Sequence, residues 1–353
     1  MSKLAILNDT HFGVKNGSQI FLDYSSKFFS EVFFPYCLEH DIKHVLHCGD
    51  YFDHRKFVNY KVMQHSYDAF ISKLYAYDMT MDIVPGNHDV YYKNTNELNS
   101  LEQVLGQYSD RVHIHMNPID KDFDGLSIGF LPWMTQDNYD ECTKFIATSK
   151  SPIILSHLEL QGFVMGKGLP VASHGLNSSL FSRYEMVLSG HYHTKSTQGN
   201  IHYLGTQMEL TWSDAGDPKY FHVLDTDTRE LTPVRNKYLL FRRIRYNDIE
   251  TEAITRDEIR GSYVKVVVVS KKDLYEFDKF IDRLQSYEPF EVKIVETFEE
   301  YTGENVNDDD ISTTDTPTLL NTYVDSIETD LDSDKLKTML QELFVEAQQL
   351  ESI

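Results

Sequence analysis

Five times before residue 200, a short apolar run stops at a side chain able to hold a metal ion. Leu4-Ala5-Ile6-Leu7 runs into Asn8-Asp9-Thr10-His11, and the stretch ending at His47 runs into Cys48-Gly49-Asp50-Tyr51-Phe52-Asp53. Met81 to Val84 stops at Pro85-Gly86-Asn87-His88-Asp89. Pro152 to Ser156 stops at His157, and Glu185 to Leu188 stops at Ser189-Gly190-His191-Tyr192-His193. A strand that breaks in a turn delivers its next residues to the carboxyl edge of a sheet, where open α/β sheets place their ligands.

What lies between these runs sets the topology. Helical stretches over Ser18–His40 and Tyr60–Tyr77 separate the first three. Alternating β and α elements imply parallel strands joined by right-handed crossovers. One sheet edge therefore collects Asp9, His11, Asp50, Asp53, Asn87 and His88. Asp9 and His11 are two apart, so an extended strand end points both the same way, and His191 and His193 repeat the spacing.

In the second half short strands dominate, at Val112–His115, Leu126–Leu131 (then Pro132-Trp133), Ile201–Leu204, Phe221–Leu224 and Tyr238–Arg245. The expected fold class is α/β: two packed sheets with helices outside, an αββα sandwich over residues 1–246. A βαβ-like unit follows at 247–298, with strands Ser262–Ser270 and Phe290–Val295 around a helix at Asp273–Ser286. Residues 299–316 are acidic and rich in Gly, Asn and Thr, as linkers are. In 317–353 apolar residues keep helical spacing, among them Leu319, Leu320, Tyr323, Leu336, Met339, Leu340 and Leu343.

Charge and cysteine usage narrow the class. The net charge of -22 argues against a simple nucleic-acid binder. The charge is uneven: residues 291–353 hold 17 Asp+Glu against 3 Lys+Arg. An anionic substrate would need local cations, from metals or partner subunits. No run approaches the roughly 18 apolar residues of a membrane span. The apolar start reads as a strand rather than a signal peptide. Three scattered cysteines form no disulfide framework, which fits a reducing cytoplasm.

Asp9, His11, Asp50, Asn87, His157, His191 and His193 are too many ligands for one ion. They suit two ions sharing a carboxylate, and two metals roughly 3.5–4 Å apart clamp a phosphoryl group and activate water. Two divalent ions outweigh the charge of Asp9 and Asp50, leaving a positive centre that attracts a phosphodiester. Mixed imidazole and oxygen donors favour manganese, iron or zinc over magnesium, with manganese the expectation.

The blocks Asp-x-His, Gly-Asp-x-x-Asp, Gly-Asn-His-Asp, a lone strand-end His and Gly-His-x-His stand in this order. In them the chain resembles the calcineurin-like metallophosphoesterase superfamily, and within it the SbcD-type DNA nucleases, in particular their phage form. The likeness continues in Pro132-Trp133-Met134, Tyr203-Leu204-Gly205-Thr206 and Leu224-Asp225-Thr226-Asp227-Thr228. By this resemblance Asp9, His11 and His193 would hold one metal, Asn87, His157 and His191 the other, and Asp50 would bridge. His88 would contact the scissile phosphate, and Asp53 would hold a neighbouring ligand or water. The implied activity is exo- and endonucleolytic hydrolysis of DNA. Residues 247–298 would be a capping domain shaping DNA access. Residues 317–353 would dock on an SbcC-type coiled-coil ATPase, within a complex built on a homodimer in recombination, repair or replication. The location would be the cytoplasm, that of the host for a phage protein. The chain carries no Gly-x-x-x-x-Gly-Lys loop, so ATP dependence would come from that partner.

Other residues have plainer readings. His47, His54, His174 and His202 are expected to be non-ligands, with His54 and His174 near the site. Arg55 and Lys56 suit either DNA backbone or a solvated loop. Trp133 and Trp212 read as core or loop packing residues rather than base-stacking platforms. A phosphatase or small phosphodiesterase could use the same metals. However, phosphoprotein phosphatases carry Asp-Arg-Gly and Asn-His-Glu where this chain has Asp53-His54-Arg55 and Asn87-His88-Asp89. A non-catalytic scaffold for an ATPase is the third class.

Overall fold

The structure, a computed structural model, describes residues 2–163, 172, 175–247, 254–271, 273–296 and 324. His174, the linker at 299–316 and, Val324 apart, the segment at 317–353 lie outside the described residues. The chain divides into two compact units, Met1–Glu296 and Thr297–Ile353, and the elements named here belong to the first.

Two six-stranded sheets form the body. The first joins β1 (Lys3–Leu7), β2 (His44–His47), β3 (Thr80–Ile83) and β4 (Val112–Ile114) in parallel. The second contains β5 (Ile119–Phe123), β6 (Leu126–Leu131), β7 (Ile153–Ser156), β8 (Met186–Ser189), β9 (Ser196–Gln198) and β10 (Ile201–Tyr203). There β6, β7, β8 and β10 are parallel, and β5 and β9 are antiparallel edges. The chain then returns to the first sheet, where β11 (Tyr220–Asp225) pairs antiparallel with β1 and β12 (Leu231–Arg235) closes that edge. Strands β5, β9 and β12 are short, polar and edge-placed, and their sequence carries no apolar run to announce them.

Residue alternation assigns each face. Leu4 and Ile6 of β1, with Leu46 and Val84, meet Ile128, Phe130, Ile153, Leu155 and Leu188 of the second sheet. Ala5 and Leu7 face the other way, into an aromatic layer of Phe28, Phe29, Phe33, Phe34, Phe70 and Phe221. Ile154 and Val187 pack outward against Cys142 and Ile146, which lie on the helix Tyr139–Thr148. Strands covered on both faces read as continuous apolar runs, which is why the parallel strands were legible. Asp82 is a polar exception in the β3 interior. Its buried carboxylate takes Lys121 Nζ at 2.5 Å and His115 Nε2 at 2.7 Å, tying β3 to β5.

The expected helix after β1 forms as Gln19–Phe28, a π-helical turn Phe29–Phe33, and Phe34–Glu39. The next helical run, Tyr60–Ser66, Tyr67–Ile71 and Ser72–Ala76, has the same π insertion. A third, parallel sheet joins β13 (Phe241–Tyr246), β14 (Tyr263–Val268) and β15 (Glu291–Glu296), with the helix Leu274–Ser286 on one face. Its first strand therefore precedes residue 247. Apolar residues within Phe241–Tyr246 are compatible with a strand but do not say which sheet receives it. Glu209, fully buried, holds that start in place by accepting the backbone N–H groups of Leu240 and Phe241.

Candidate metal centre

Register brings the five strand ends level. Leu7, His47 and Ile83 are paired across the first sheet, so Asp9, Asp50 and Asn87 fall just beyond one edge. Leu131, Ser156 and Ser189 are paired across the second, placing Trp133, His157 and His191 at its matching edge. Hydrogen bonds stitch the two edges together. His157 Nδ1 donates to the Cys48 carbonyl at 2.8 Å, and the Trp133 N–H donates to the Pro85 carbonyl at 3.0 Å.

The side chains converge through strained turns. Asp9, His11, Asp50 and His191 have φ of 46°, 43°, 56° and 85°. Left-handed backbone at such residues costs about 1–3 kcal/mol each and persists where surrounding contacts enforce it. Extended-strand alternation, the basis of the expectation for Asp9 and His11, is therefore not what aims them. Between them Thr10 turns inward, donating to the Tyr51 carbonyl at 3.0 Å and meeting His47 Nε2 at 3.2 Å.

Two groups result. Ligand atoms of Asp9, His11 and His193 lie within 4.8 Å of one another, and so do those of Asp50, His157 and His191. Asn87 joins the second group: its Oδ1 is 3.0 Å from His157 Nε2 and 2.9 Å from His191 Nδ1. Asp50 stands between the groups. Its Oδ2 is 3.7 Å from His11 Nε2 and 3.3 Å from His157 Nε2, while its Oδ1 accepts the His88 N–H at 2.7 Å. His11, Asp53 and His88 form a further cluster, in which His11 Nδ1 is 3.2 Å from Asp53 Oδ1.

These donors fit divalent cations. His11 Nε2 is buried, has no hydrogen-bond partner, and faces Asp9 and Asp50. The Nδ1–H of His157 is committed to Cys48, so its Nε2 lone pair converges with two oxygens. Burial alone would push both imidazoles down. The carboxylates overcome it: Asp53, Asp50 and Asp9 push His11 up to about 9, and Asp50 and Asp9 push His157 up to about 9. Burial likewise opposes ionisation of Asp50, but His157, His11 and His88 hold its carboxyl below the ordinary range. A field that drives imidazoles to hold protons also favours metal ions, which bind there in competition with those protons.

The other expected residues fall as follows. His47 lies behind the site with both ring nitrogens engaged, and burial pushes it down to about 3. His54 is partly exposed and stacks on Phe57. His88 is partly buried, and its Nδ1 meets the Asp53 carbonyl at 2.5 Å. Asp53, whose carboxyl His11 holds low against burial, lies in the cluster with His11 and His88, its Oδ1 3.2 Å from His11 Nδ1.

Two supports had no assigned role in the sequence. Asp89 is fully buried and accepts four backbone N–H groups, of Asp50, Tyr51, Phe52 and Gly86, at 2.8, 3.0, 3.3 and 2.9 Å. It locks the Asp50 loop to the Asn87-His88 loop. Two glycines let those loops touch: a Cβ on Gly86 would meet Asp50 Oδ1 at 2.2 Å, and one on Gly49 would meet Gly86 N at 2.6 Å. Lys219, also buried, spends its three donors on the His193 carbonyl, Asp214 and Asp217, at 3.0, 2.6 and 2.9 Å. A lysine so far along the chain carries no sequence signal linking it to His193.

Known proteins bear on this geometry. Exonuclease subunit 1 of Enterobacteria phage T4 is 30% identical over 352 residues, spanning 98% of this chain and 100% of that protein. An archaeal phosphodiesterase is similar over 66% of this chain and 99% of its own, with 16% identity and a TM-score of 0.35. Purple acid phosphatase PPD1 of yellow lupin is similar over 63% of this chain and 49% of its own, with 14% identity and a TM-score of 0.38. Likeness as loose as these last two bears on neither substrate nor mechanism. The sequence profile of the calcineurin-like phosphoesterases matches residues 2–195. That span runs from β1 past His193 and includes every strand end that meets at the cluster, so the chain belongs to the calcineurin-like phosphoesterase family.

Proposed function

We propose that this chain is a two-metal DNA nuclease. The observation that carries the metal reading is the Asp50 carboxylate, one oxygen of which faces both imidazole groups while the other is held by His88 N–H. Asp9, His11 and His193 would hold one ion, Asn87, His157 and His191 the other, and Asp50 would be shared between them. Four imidazoles and three oxygen donors favour manganese over magnesium. Bound there, such ions would neutralise phosphoryl oxygens and lower the pKa of a water.

The chain's own groups do the rest. With His88 Nδ1 on the Asp53 carbonyl, Nε2 is the nitrogen left to stand beside the phosphate. That nitrogen is placed to donate a proton to the leaving oxygen, and the Asp53 carbonyl fixes the orientation of the ring. Asp53 keeps His11 in its orientation. Near-full-length identity with a phage exonuclease subunit supports DNA over a small diester as substrate. The same likeness supports a subunit of a larger complex. The motif resemblance to SbcD-type nucleases adds a cytoplasmic location, a coiled-coil ATPase as the partner of residues 317–353, residues 247–298 as the DNA-access domain, and a homodimer. Among the described residues no helix is long and apolar enough to cross a membrane.

The test is cleavage of linear and hairpin DNA in manganese by the intact chain and by His88→Ser. The variant should lose about 100- to 10,000-fold in rate with its bound metal unchanged. Turnover of a small phosphodiester with no cleavage of either DNA would replace this reading by a phosphodiesterase.

A further inference from the structure

A cavity of about 320 Å³ opens against the second ligand group, with His157 in its wall. Trp133, Met134, Tyr139, Lys93, His157 and Glu159 are among the residues that line it. The Trp133 ring is 5.4 Å from the ring of His191 and 5.7 Å from that of His157. The packing role expected for Trp133 therefore accounts for only part of it, since the residue is partly exposed and also walls an open cavity.

Its backbone is fixed from three directions. The N–H donates to the Pro85 carbonyl, two residues before Asn87. The carbonyl accepts Asn96 Nδ2 at 2.8 Å and Asn138 Nδ2 at 3.0 Å. An indole on a backbone fixed this way, with its ring against two imidazoles of the site, is placed to serve as a platform. A mostly apolar cavity with a few polar groups at its edge is the ordinary form of a small organic ligand site.

We propose that this cavity seats the nucleoside on one side of the scissile phosphate, with its base against the Trp133 indole and Lys93 beside the next phosphate. The inference rests on the nuclease reading and names the part of the substrate that the metal cluster does not hold. Every base has a π-face, so such a platform grips without selecting sequence. Stacking adds a grip on the base that the metal cluster, which would hold only the phosphate, does not supply.

The experiment uses the full chain carrying Trp212→Phe, which leaves Trp133 as its single tryptophan. A phosphorothioate oligothymidylate is titrated in manganese while indole emission is followed, beside an abasic phosphorothioate of equal length. Saturable quenching by the first alone is expected. Equal quenching by both, or none by either, overturns the proposal. In a second arm, Trp133→Ala should lower kcat/KM on DNA by about 5- to 150-fold, with bound manganese unchanged and Trp133→Phe recovering most of the loss. The same substitution should leave cleavage beside an abasic nucleotide unaltered. Loss of manganese from Trp133→Ala, or equal losses on both substrates, would make Trp133 a wall of the metal site and overturn the proposal. If the unaltered chain cleaves no DNA, the nuclease reading fails, while the emission titration still decides whether the cavity takes a base.

Discussion

Replacing Asp89 by Asn keeps the shape of the side chain and removes one of its two acceptor oxygens. In either amide orientation an NH2 group then faces two backbone N–H groups, those of Asp50 and Gly86 or those of Tyr51 and Phe52. Each buried N–H left unpaired costs about 1–3 kcal/mol, so the pair amounts to about 2–6 kcal/mol. A second effect opposes this. Burial, and after it the charge of Asp50, push the Asp89 carboxyl up to about 7 against the pull of its N–H donors. Removing that charge relieves Asp50 and draws the net cost toward the lower end. Measured well above pH 7, where the carboxylate is ionised, the loss is still a large share of a typical total of about 5–15 kcal/mol. The assay is urea unfolding with chelator present, comparing midpoints at unchanged slope. Asp89→Ala, which strands all four N–H groups, should be worse still. A change below about 0.5 kcal/mol for Asp89→Asn, the range of an ordinary surface substitution, would refute the clamp.

Other substitutions test neighbouring links. Gly86→Ala drives a methyl into the Asp50 carboxylate and should abolish manganese binding seen by calorimetry; retained stoichiometry would show that the two loops can part. Lys219→Met leaves Asp214 and the His193 carbonyl without their cation and should lower unfolding stability by about 3–5 kcal/mol, while a change under about 1 kcal/mol would argue against a buried pair. Asp82 is held below its ordinary value, since His115 and Lys121 outweigh its burial. It therefore contributes stability above its unfolded pKa of about 3.9, and that contribution is lost as pH falls through the lower folded value. Asp82→Asn should flatten the acid limb of stability against pH, and an unchanged limb would contradict the assignment.

Much of this architecture is legible in the chain because strand ends and motifs are local. An apolar run, a turn and a carboxylate or imidazole stand next to one another, and βα alternation alone brings Asp9, Asp50 and Asn87 to one edge. Strands β5, β9 and β12 were not legible, because edge strands are stabilised by the neighbour they pair with and need no apolar run. The placement of β13 in the third sheet was equally hidden, for pairing partners leave no mark in a strand's own alternation.

Local motifs suffice to name the side chains able to hold metal, the order in which strands deliver them, and the family. Tertiary structure decided how they are aimed and held. The left-handed turns at Asp9, His11, Asp50 and His191 exist only because packed neighbours enforce them. The grip of Asp89 on the amides of Asp50, Tyr51 and Phe52, of Lys219 on His193, and of Pro85 and Asn96 on Trp133 joins residues far apart in the chain. A hydrogen bond acts over about 3 Å of space, whatever the separation along the sequence, so such supports appear only when the folded backbone brings both partners within reach.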